Sequence, residues 1–526
     1  MPASRPALVP APTQHTHRPG HFTFTPDTTV RVTPGAEPAA TLLRTLLAPA
    51  TGLRLRPAPD GRVLLALDPG LVGLGAEGYG LTVSPDAVLL RAARLTGLLR
   101  GIQTIRQLLP AEALAGRARP GVPWRMPCAE ITDVPRRAWR GFMLDVARHF
   151  QPAPFLRRYV DLLALHKLNV LHLHLTDDQG WRLPVADYPL LTEVGGRRAQ
   201  SMVGPAGSDV FDGVPHEGSY TERQLRDLVA YAAARGVTVV PEVEMPGHAR
   251  AALAAYPELG TVPGRRLDVW TRWGVCDTVF GVHEPVLDFC RTVLDTVLDL
   301  FPSPHVHVGG DECPTTEWAA SPEARARVAA EGLSGAGDLR SWFLGRVGAH
   351  LLERGRTPVA WAETGEGLPP DFTVMTWRDP EHVRTALERG HRVVSSHHGA
   401  TYLDYAQSAS PAEPPAQPGT VVGLRTVHDH DPPDDPSLRG ELLGVQAQLW
   451  TEFAPTADHV DYLAFPRLAA LADRAWHGAS PWPQARARLV AHGTRLAALG
   501  VRHGPFDPYV PVPRSSVPHR SGEESR

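Results

Sequence analysis

Two adjacent carboxylates close an alternating run, His305-Val306-His307-Val308-Gly309-Gly310-Asp311-Glu312-Cys313. Such a pair can divide its work between moving a proton and holding a developing positive charge. In a strand successive side chains face opposite ways, so Val306 and Val308 pack one way while His305 and His307 point the other. Gly309 and Gly310 let the backbone turn sharply and leave room for a bound molecule. Asp311 and Glu312 then stand at the carboxyl end of the strand, where α/β barrels carry their chemistry. An arbitrary Asp-Glu pair is usually two solvated loop carboxylates. Here similar strand ends recur along the chain.

Arg148-His149 follows one apolar run, Asp177-Asp178 the next, and Glu242, Glu244 and His248 the third. After Asp311-Glu312 come Trp361 and Glu363, Trp377, Tyr402 and Asp404, then Trp450 and Glu452. One such residue means little, since a lone Trp is usually core and a lone His a satisfied structural residue. A ring of them is what a barrel active site requires. The residue types favour a sugar: indole faces stack on pyranose rings, and carboxylates with Arg take the hydroxyls. Cleaving a glycosidic bond needs a proton donor at the leaving oxygen and stabilisation of charge at the anomeric carbon. Neither a GxxxxGK[ST] phosphate loop nor a GxGxxG fingerprint is present, so no nucleotide cofactor is expected.

The elements that must position this ring are legible as alternating runs. From Trp139 onward, candidate strands at 141–146, 170–175, 237–243, 306–308, 358–362, 373–377, 392–395 and 445–449 are separated by helical stretches. Examples of the latter are 154–166, 222–235, 286–300 and 338–354. Eight strands with intervening helices predict a (β/α)₈ barrel with enlarged loops over 133–504. Ahead of it, residues 20–132 read as a smaller α/β domain. Its strands fall near 30–32 and 62–67, a hairpin spans 78–92 across Ser84-Pro85-Asp86, and a helix runs from Leu98 to Leu109 and stops at Pro110. The Pro-rich stretch 119–127 reads as a linker. Residues 1–19 and 505–526, rich in Pro and polar residues, are expected to be flexible.

The chain has 526 residues, 43% of them hydrophobic and 21% charged, which suits two or three globular units. Its net charge of −3 gives no basic field for nucleic acid or anionic lipid. Lys167 is the only Lys and Asn169 the only Asn, and with Val170 and Leu171 following there is no N-glycosylation acceptor. The N-terminus lacks the apolar run of a signal peptide, and no apolar stretch has membrane-spanning length. A cytoplasmic location is therefore expected, unless a leader has been removed. The spacing of Cys128, Cys276, Cys290 and Cys313 matches no zinc motif. They are expected as small buried residues, with a Cys276–Cys290 bridge open to a secreted form.

Several of these segments resemble family-20 glycoside hydrolases, the β-N-acetylhexosaminidases. Arg140-Gly141-Phe142-Met143-Leu144-Asp145-Val146-Ala147-Arg148-His149-Phe150 is similar to the opening of that family's barrel. So are the run from Lys167 to Trp181 and Pro241-Glu242-Val243-Glu244-Met245-Pro246-Gly247-His248. His307–Glu312 is similar to the catalytic pair, and Tyr402-Leu403-Asp404 and Gln446–Glu452 to the late-barrel motifs. Gly97–Leu109 resembles a helix of the family's N-terminal domain, so the likeness covers about residues 20 to 500. It implies a retaining, exo-acting enzyme that releases terminal GlcNAc or GalNAc without a carboxylate nucleophile. The substrate's own 2-acetamido oxygen attacks instead, forming an oxazolinium ion. It also implies roles. Glu312 would be the general acid and then the base. Asp311 would orient the acetamido nitrogen and Tyr402 would bond its oxygen. Trp361, Trp377 and Trp450 would wall the pocket. Arg148 would bind the hydroxyls at carbons 3 and 4, and Asp404 and Glu452 the outer hydroxyls. Asp177 and His248 would hold Glu312 in orientation with a pKa suited to acid work. Glu244 departs from the family, which usually has Asp there.

A metal hydrolase is the first rival, since His172, His174, His305 and His307 with Asp177 and Asp311 superficially form a ligand set. Histidines at alternating barrel positions can be satisfied by neighbours, and the resemblance implies no metal and no cofactor. A non-catalytic sugar-binding protein is the second, against which the joint presence of Asp311, Glu312 and Tyr402 argues. The third is a family member that removes disaccharide units. The expected partner is a small carbohydrate, not nucleic acid or membrane.

Overall fold

Alternating apolar residues at 63–92 build the first sheet. In the computed structural model, which describes residues 7–506, six strands line up in the order β1-β6-β4-β5-β3-β2. They are β1 (Gln14–Thr23), β2 (Val30–Val32), β3 (Val63–Leu67), β4 (Tyr79–Val83), β5 (Val88–Ala92) and β6 (Arg125–Asp133). Helices α1 (Glu37–Thr51) and α2 (Leu95–Leu108) cover the sheet, and α2 buries almost every side chain because its far face meets the second domain.

Two expectations change here. Residues 1–19 are not a loose arm throughout. β1 starts at Gln14 and pairs antiparallel with β6, and Val9 exchanges hydrogen bonds of 2.9 and 2.7 Å with the Gln107 amide. Its sequence hides the strand because β1 is an exposed edge, where charged and polar residues replace the apolar alternation. The linker expected at 119–127 likewise ends early, since β6 begins at Arg125. The tail is described only to Phe506, so nearly all of the segment expected to be flexible lies outside the described residues.

The second unit is a closed barrel of eight parallel strands in chain order. They are β7 (Trp139–Asp145), β8 (Val170–His174), β9 (Thr238–Glu242), β10 (His305–His307), β11 (Thr357–Trp361), β12 (Thr373–Thr376), β13 (Arg392–Ser395) and β14 (Glu441–Leu449), which returns to pair with β7. All eight expected strands are present, displaced by a few residues. Between them run α3 (Ala153–Leu165), α4 (Glu222–Ala233), α5 (Glu284–Leu300), α6 (Leu339–Glu353) and α7 (Glu381–Glu388). After β14 come α8 (Arg467–His477) and α9 (Trp482–Ala498). Thr221 caps α4, accepting from Gln224 N while the Gln224 side chain returns to Thr221 N. All four cysteines are free, so no Cys276–Cys290 bridge forms. Among the described residues no helix is long and apolar enough to cross a membrane.

Buried charge joins the two units. The Lys167 ammonium is 2.7 Å from Asp133 Oδ2 and 2.9 Å from the Tyr79 hydroxyl, and lies between the Tyr79 and Trp476 rings. Asp133 also accepts from Trp476 Nε1 at 2.8 Å and from Tyr79 at 2.7 Å. Nearby, Glu77 receives the guanidinium groups of Arg100 at 2.7 Å and Arg140 at 2.5 Å. Against the cost of burial, those two cations pull its carboxyl down to about 2.

Breaking a buried pair by removing one partner strands the other charge and typically costs about 3–5 kcal/mol. Lys167→Met is expected to lower stability by about that amount, read from the first urea-unfolding transition. A loss below about 1 kcal/mol would show that the donors left to Asp133 suffice without the cation.

Candidate active site

The carboxyl end of β10 shows how sequence makes this site. Gly309 has φ 64°, and a Cβ there would stand 1.8 Å from Glu244 Oε2. Gly310 has φ 96°, and a Cβ there would meet Leu344 at 2.8 Å. Only glycines let the chain pass over the Glu244 carboxyl and deliver Asp311 and Glu312 to the barrel mouth. Glu312 itself sits at φ 39° and His248, across from it, at φ 48°. Two non-glycine residues in the left-handed region, facing one another, mark stored strain of about 1–3 kcal/mol each.

Asp311, Glu312, Tyr402, Arg148, Trp377, Asp404, Trp450, Glu452, Asp177 and His248 all line one cavity of about 140 Å³. Trp361 does not line it. Its buried indole lies one layer below, donating from Nε1 to Glu242 Oε1 at 2.6 Å and packing 6.0 Å from the Trp450 ring. It supports a wall and borders a neighbouring cleft. Sequence reasoning gave no role to three lining residues: Glu244, Tyr405 and Gln417. Tyr405 directly follows Asp404 and was within reach of the motif. Gln417 arrives from a Pro-rich loop and carries no sequence signal; only its backbone bond to Asp404 O, at 2.9 Å, brings it in. Glu363 turns aside to Arg378 and His382.

A ladder of alternating charge runs from the barrel interior to Glu312. Glu242 is fully buried; it accepts from His174 Nδ1 at 2.6 Å and from Trp361 Nε1 at 2.6 Å, while His307 Nδ1, which takes the Gly309 N–H, stands 2.8 Å away and His172 Nε2 stands 3.1 Å away. Against the cost of burial, the three imidazoles hold its carboxyl well below the usual range. His174 passes on to Asp177 at 2.7 Å. Burial opposes its charge, but Glu242 and Asp177 push its pKa well up. Asp177 then takes Arg148 Nη2 at 2.8 Å and His248 Nδ1 at 3.2 Å, and Asp178 adds a second carboxylate to His248 at 3.1 Å. His248 Nε2 ends the ladder 3.6 Å from Glu312 Oε2. Asp177 above all raises the His248 pKa, against burial. The imidazolium in turn overcomes the burial penalty on Glu312 and holds that carboxyl below its ordinary value. The ladder therefore steadies the ionised form of Glu312 rather than lifting its pKa as expected for an acid.

Asp311 differs. Burial pushes it up to about 6, with Glu312 and Glu242 adding and His248 opposing. Burial, then the charges of Asp311 and Glu242, push Glu244 well up, which favours its protonated form. Asp311 Oδ1, Asp404 Oδ1 and Glu244 Oε1 are buried without protein partners. Buried polar atoms seldom stay unpaired, so the cavity has acceptor capacity for a ligand rich in N–H and O–H groups. Arg148 is fixed on all sides: Gln179 Oε1 at 2.8 Å, Asp145 Oδ2 at 3.2 Å, Asp177, and the Trp450 ring 5.1 Å beneath it.

The rival metal set does not assemble as one group. His305 packs edge-on against Trp139 and joins none of the four donor groups found among the described residues. In the His172–Glu242–His307 group, Glu242 already accepts from His174 Nδ1 and Trp361 Nε1, and His307 Nδ1 already takes the Gly309 N–H.

This arrangement has counterparts among known proteins. The profile described as "Glycosyl hydrolase family 20, catalytic domain" matches residues 138–479, and "Glycosyl hydrolase family 20, domain 2" matches residues 5–134. The chain belongs to glycosyl hydrolase family 20. It is 38% identical over 433 residues to a beta-hexosaminidase of Akkermansia muciniphila, covering 80% of this chain and 83% of that one. It is 37% identical over 483 residues to a beta-hexosaminidase of Porphyromonas gingivalis, covering 89% of this chain but only 60% of that protein's length. Among solved structures, the Streptomyces plicatus N-acetyl-beta-hexosaminidase in complex with Thio-NAglucal superposes with a TM-score of 0.82 at 32% identity. That match covers 96% of this chain and 98% of the other. Family-20 membership makes the protein a glycoside hydrolase of the β-N-acetylhexosaminidase type.

The two neighbouring glutamates should respond oppositely to loss of charge. Glu242→Gln sets an amide N–H₂ against the donors His174 Nδ1 and Trp361 Nε1 and removes a buried anion, an expected loss of about 3–5 kcal/mol. Glu244→Gln replaces a neutral carboxyl by a neutral amide of the same shape and should stay within about 1 kcal/mol of the parent. Parallel denaturant titrations at pH 7 decide; equal losses would mean that Glu244 is ionised too.

Proposed function

We propose that this chain is a retaining, exo-acting β-N-acetylhexosaminidase that releases terminal non-reducing GlcNAc or GalNAc by substrate-assisted catalysis. The observation that carries the reading is the pairing of Asp311 and Glu312 in one small cavity, with Asp311 Oδ1 buried and unpartnered. An unpartnered carboxylate oxygen beside a proton donor fits an acetamido N–H. The relatives support the ligand class: the Streptomyces plicatus enzyme was solved with Thio-NAglucal, and a family-20 enzyme of Vibrio harveyi with N-acetylglucosamine.

In this mechanism Glu312 gives its proton to the glycosidic oxygen as that bond breaks. The acetamido carbonyl oxygen bonds to the anomeric carbon, and the positive charge spreads over the resulting oxazolinium. Asp311 accepts the acetamido N–H and stabilises that charge, and Tyr402 donates to the acetamido oxygen. Water then adds to the anomeric carbon as its bond to the acetamido oxygen breaks, giving a proton to Glu312, regenerating the neutral 2-acetamido group and restoring the starting state. The His248 imidazolium steadies the Glu312 carboxylate during the interval in which it is ionised. Arg148, Asp404 and Glu452 hold ring hydroxyls. The small cavity between Trp377 and Trp450 admits one sugar, which favours exo cleavage over removal of disaccharide units.

The test compares aryl glycosides with and without the 2-acetamido group. The plain glucoside lacks the internal nucleophile, so its kcat should collapse, because an intramolecular attack is worth effective molarities up to ~10⁵–10⁸ M. A thiazoline mimic of the intermediate should bind far more tightly than GlcNAc. Efficient turnover of the plain glucoside, or a sugar trapped on a protein carboxylate, overturns the mechanism.

The pKa directions give a second expectation. The pair Asp311/Glu312 works with one proton, on Glu312. Glu312 lies below its ordinary value and Asp311 is pushed up to about 6, so the singly protonated pair dominates between the two steps and is lost as pH rises through about 6. For an unactivated glycoside kcat/KM should therefore fall above about pH 6. For a leaving group that needs no proton it should rise through the same range, since only ionised Asp311 is then required. His248→Gln removes a cation that lowers both groups, so both profiles should move to higher pH. Identical profiles for the two leaving groups would separate Glu312 from proton donation.

A further inference from the structure

A second cleft of about 550 Å³ opens beside the catalytic cavity. The two share Asp311, Glu312 and Trp377, so Glu312 stands on the partition between them. Its side chain keeps 31% exposure, the freedom a proton donor needs toward that side. The far wall comes from the ends of β11 and β12. Glu363 is clamped there by Arg378 Nε at 3.1 Å, by Arg378 N at 3.3 Å and by His382 Nδ1 at 2.8 Å. The Arg378 guanidinium lies 4.5 Å over the Trp377 ring, so one indole borders both cavities while carrying this cation. Arg378 is 57% exposed, and its two Nη groups make no hydrogen bond among the described residues. Arg340, on the same wall, is spent on the backbone: it donates to Gly310 O and, at 2.9 Å, to Trp361 O.

We propose that this cleft is the subsite for the leaving sugar, with Arg378, oriented by Glu363 and Trp377, as the residue that recognises it. The inference rests on the reading above, because a leaving group emerges on the side of the group that protonates it. Its chemistry is that of a neutral pyranose: a planar guanidinium offers fixed N–H donors to neighbouring hydroxyl oxygens, and Glu363 beside it neutralises the net charge. The volume lies in the range that encloses a small ligand. An aryl leaving group presents no such ring of hydroxyl acceptors, so it gains little from Arg378.

The experiment measures kcat/KM of the full chain for a β-linked GlcNAc disaccharide and for an aryl N-acetylglucosaminide, in the parent, Arg378→Ala, Arg378→Lys and Glu363→Gln. Arg378→Ala should lower the disaccharide-to-aryl ratio by roughly ten- to a hundredfold, the worth of a hydrogen bond to a charged group. Arg378→Lys keeps the charge but not the planar fork and should recover only part of the ratio. Glu363→Gln should fall between, since it frees the guanidinium to wander. Choosing an aryl glycoside whose poor leaving group needs protonation, as a sugar does, makes any change Arg378 causes through its charge on Glu312 common to both substrates, so the ratio removes it. An unchanged ratio in Arg378→Ala overturns the subsite. A ratio restored in full by Lys overturns the bidentate role and leaves only a charge effect. Failure of the parent to turn over either substrate would overturn the underlying function, a result distinguishable because no variant is involved. Should Arg378→Ala fold poorly, Arg378→Lys alone carries the comparison: a ratio lowered at least threefold supports the subsite and an unchanged ratio overturns it.

Discussion

Everything at the barrel mouth depends on burying one anion, Glu242, and keeping it ionised. An unpaired carboxylate in that interior would shed its charge by taking a proton. Two converging donors, His174 Nδ1 and Trp361 Nε1, with the imidazoles of His172 and His307 close by, prevent this, and the consequences propagate outward by alternation of sign. Ionised Glu242 makes His174 a cation, His174 secures Asp177 as an anion, and Asp177 makes His248 and Arg148 firm cations. The final pair lines the cavity: Arg148 over Trp450 and His248 beside Glu312. Each step is a charge-assisted contact between about 2.6 and 3.6 Å in a poorly hydrated interior, where such bonds are strong and their loss expensive. Orientation and electrostatics of the acid are thus set from beneath by residues that never touch substrate.

The same logic holds the two domains together, and it explains an oddity of composition. In a chain with abundant Arg, the only Lys and the only Asn lie two positions apart, in the turn before β8. Lys167 has φ 57° and its ammonium fills a slot between two rings and a buried carboxylate. A compact point charge fits there where a planar guanidinium would not. Asn169 gives both ends of its amide, accepting from Arg140 N at 2.9 Å and donating to Ala138 O at 2.7 Å. Lys167 docks the barrel on the N-terminal sheet, and Asn169 ties the start of β7 to that of β8, whose ends carry Arg148 and Asp177.

How much of this was legible follows from what each element needs. The barrel strands are apolar on both faces and end in polar residues, so they stand out as runs, and the residues at their ends fall together without further information. β1 did not stand out, because an exposed edge strand has no apolar face to alternate. Trp361 was misplaced by one layer: sequence puts it at a strand end but cannot say whether the indole reaches the cavity or, as here, turns down to pair with Glu242. Gln417 was invisible because a long loop brings it to Asp404. The sign of the pKa shift on Glu312 also escaped, since it depends on two carboxylates, Asp177 and Asp178, both reaching His248.

The cavity carries backbone strain and unmet hydrogen-bonding capacity. His248 and Glu312 hold left-handed backbone angles, and three carboxyl oxygens lie buried without partners. Each would be costly in an ordinary core, and each sits where bound substrate would relieve it. Asp311 lacks a donor that an acetamido N–H can supply. Burial first, then the charges of Asp311 and Glu242, raise the Glu244 pKa; under the proposed mechanism, positive charge developing on the acetamido group would ease that crowding. Under the proposed mechanism, a site built this way would gain little from a neutral ground-state sugar and most from the charged, cyclised intermediate, the difference in binding that catalysis requires.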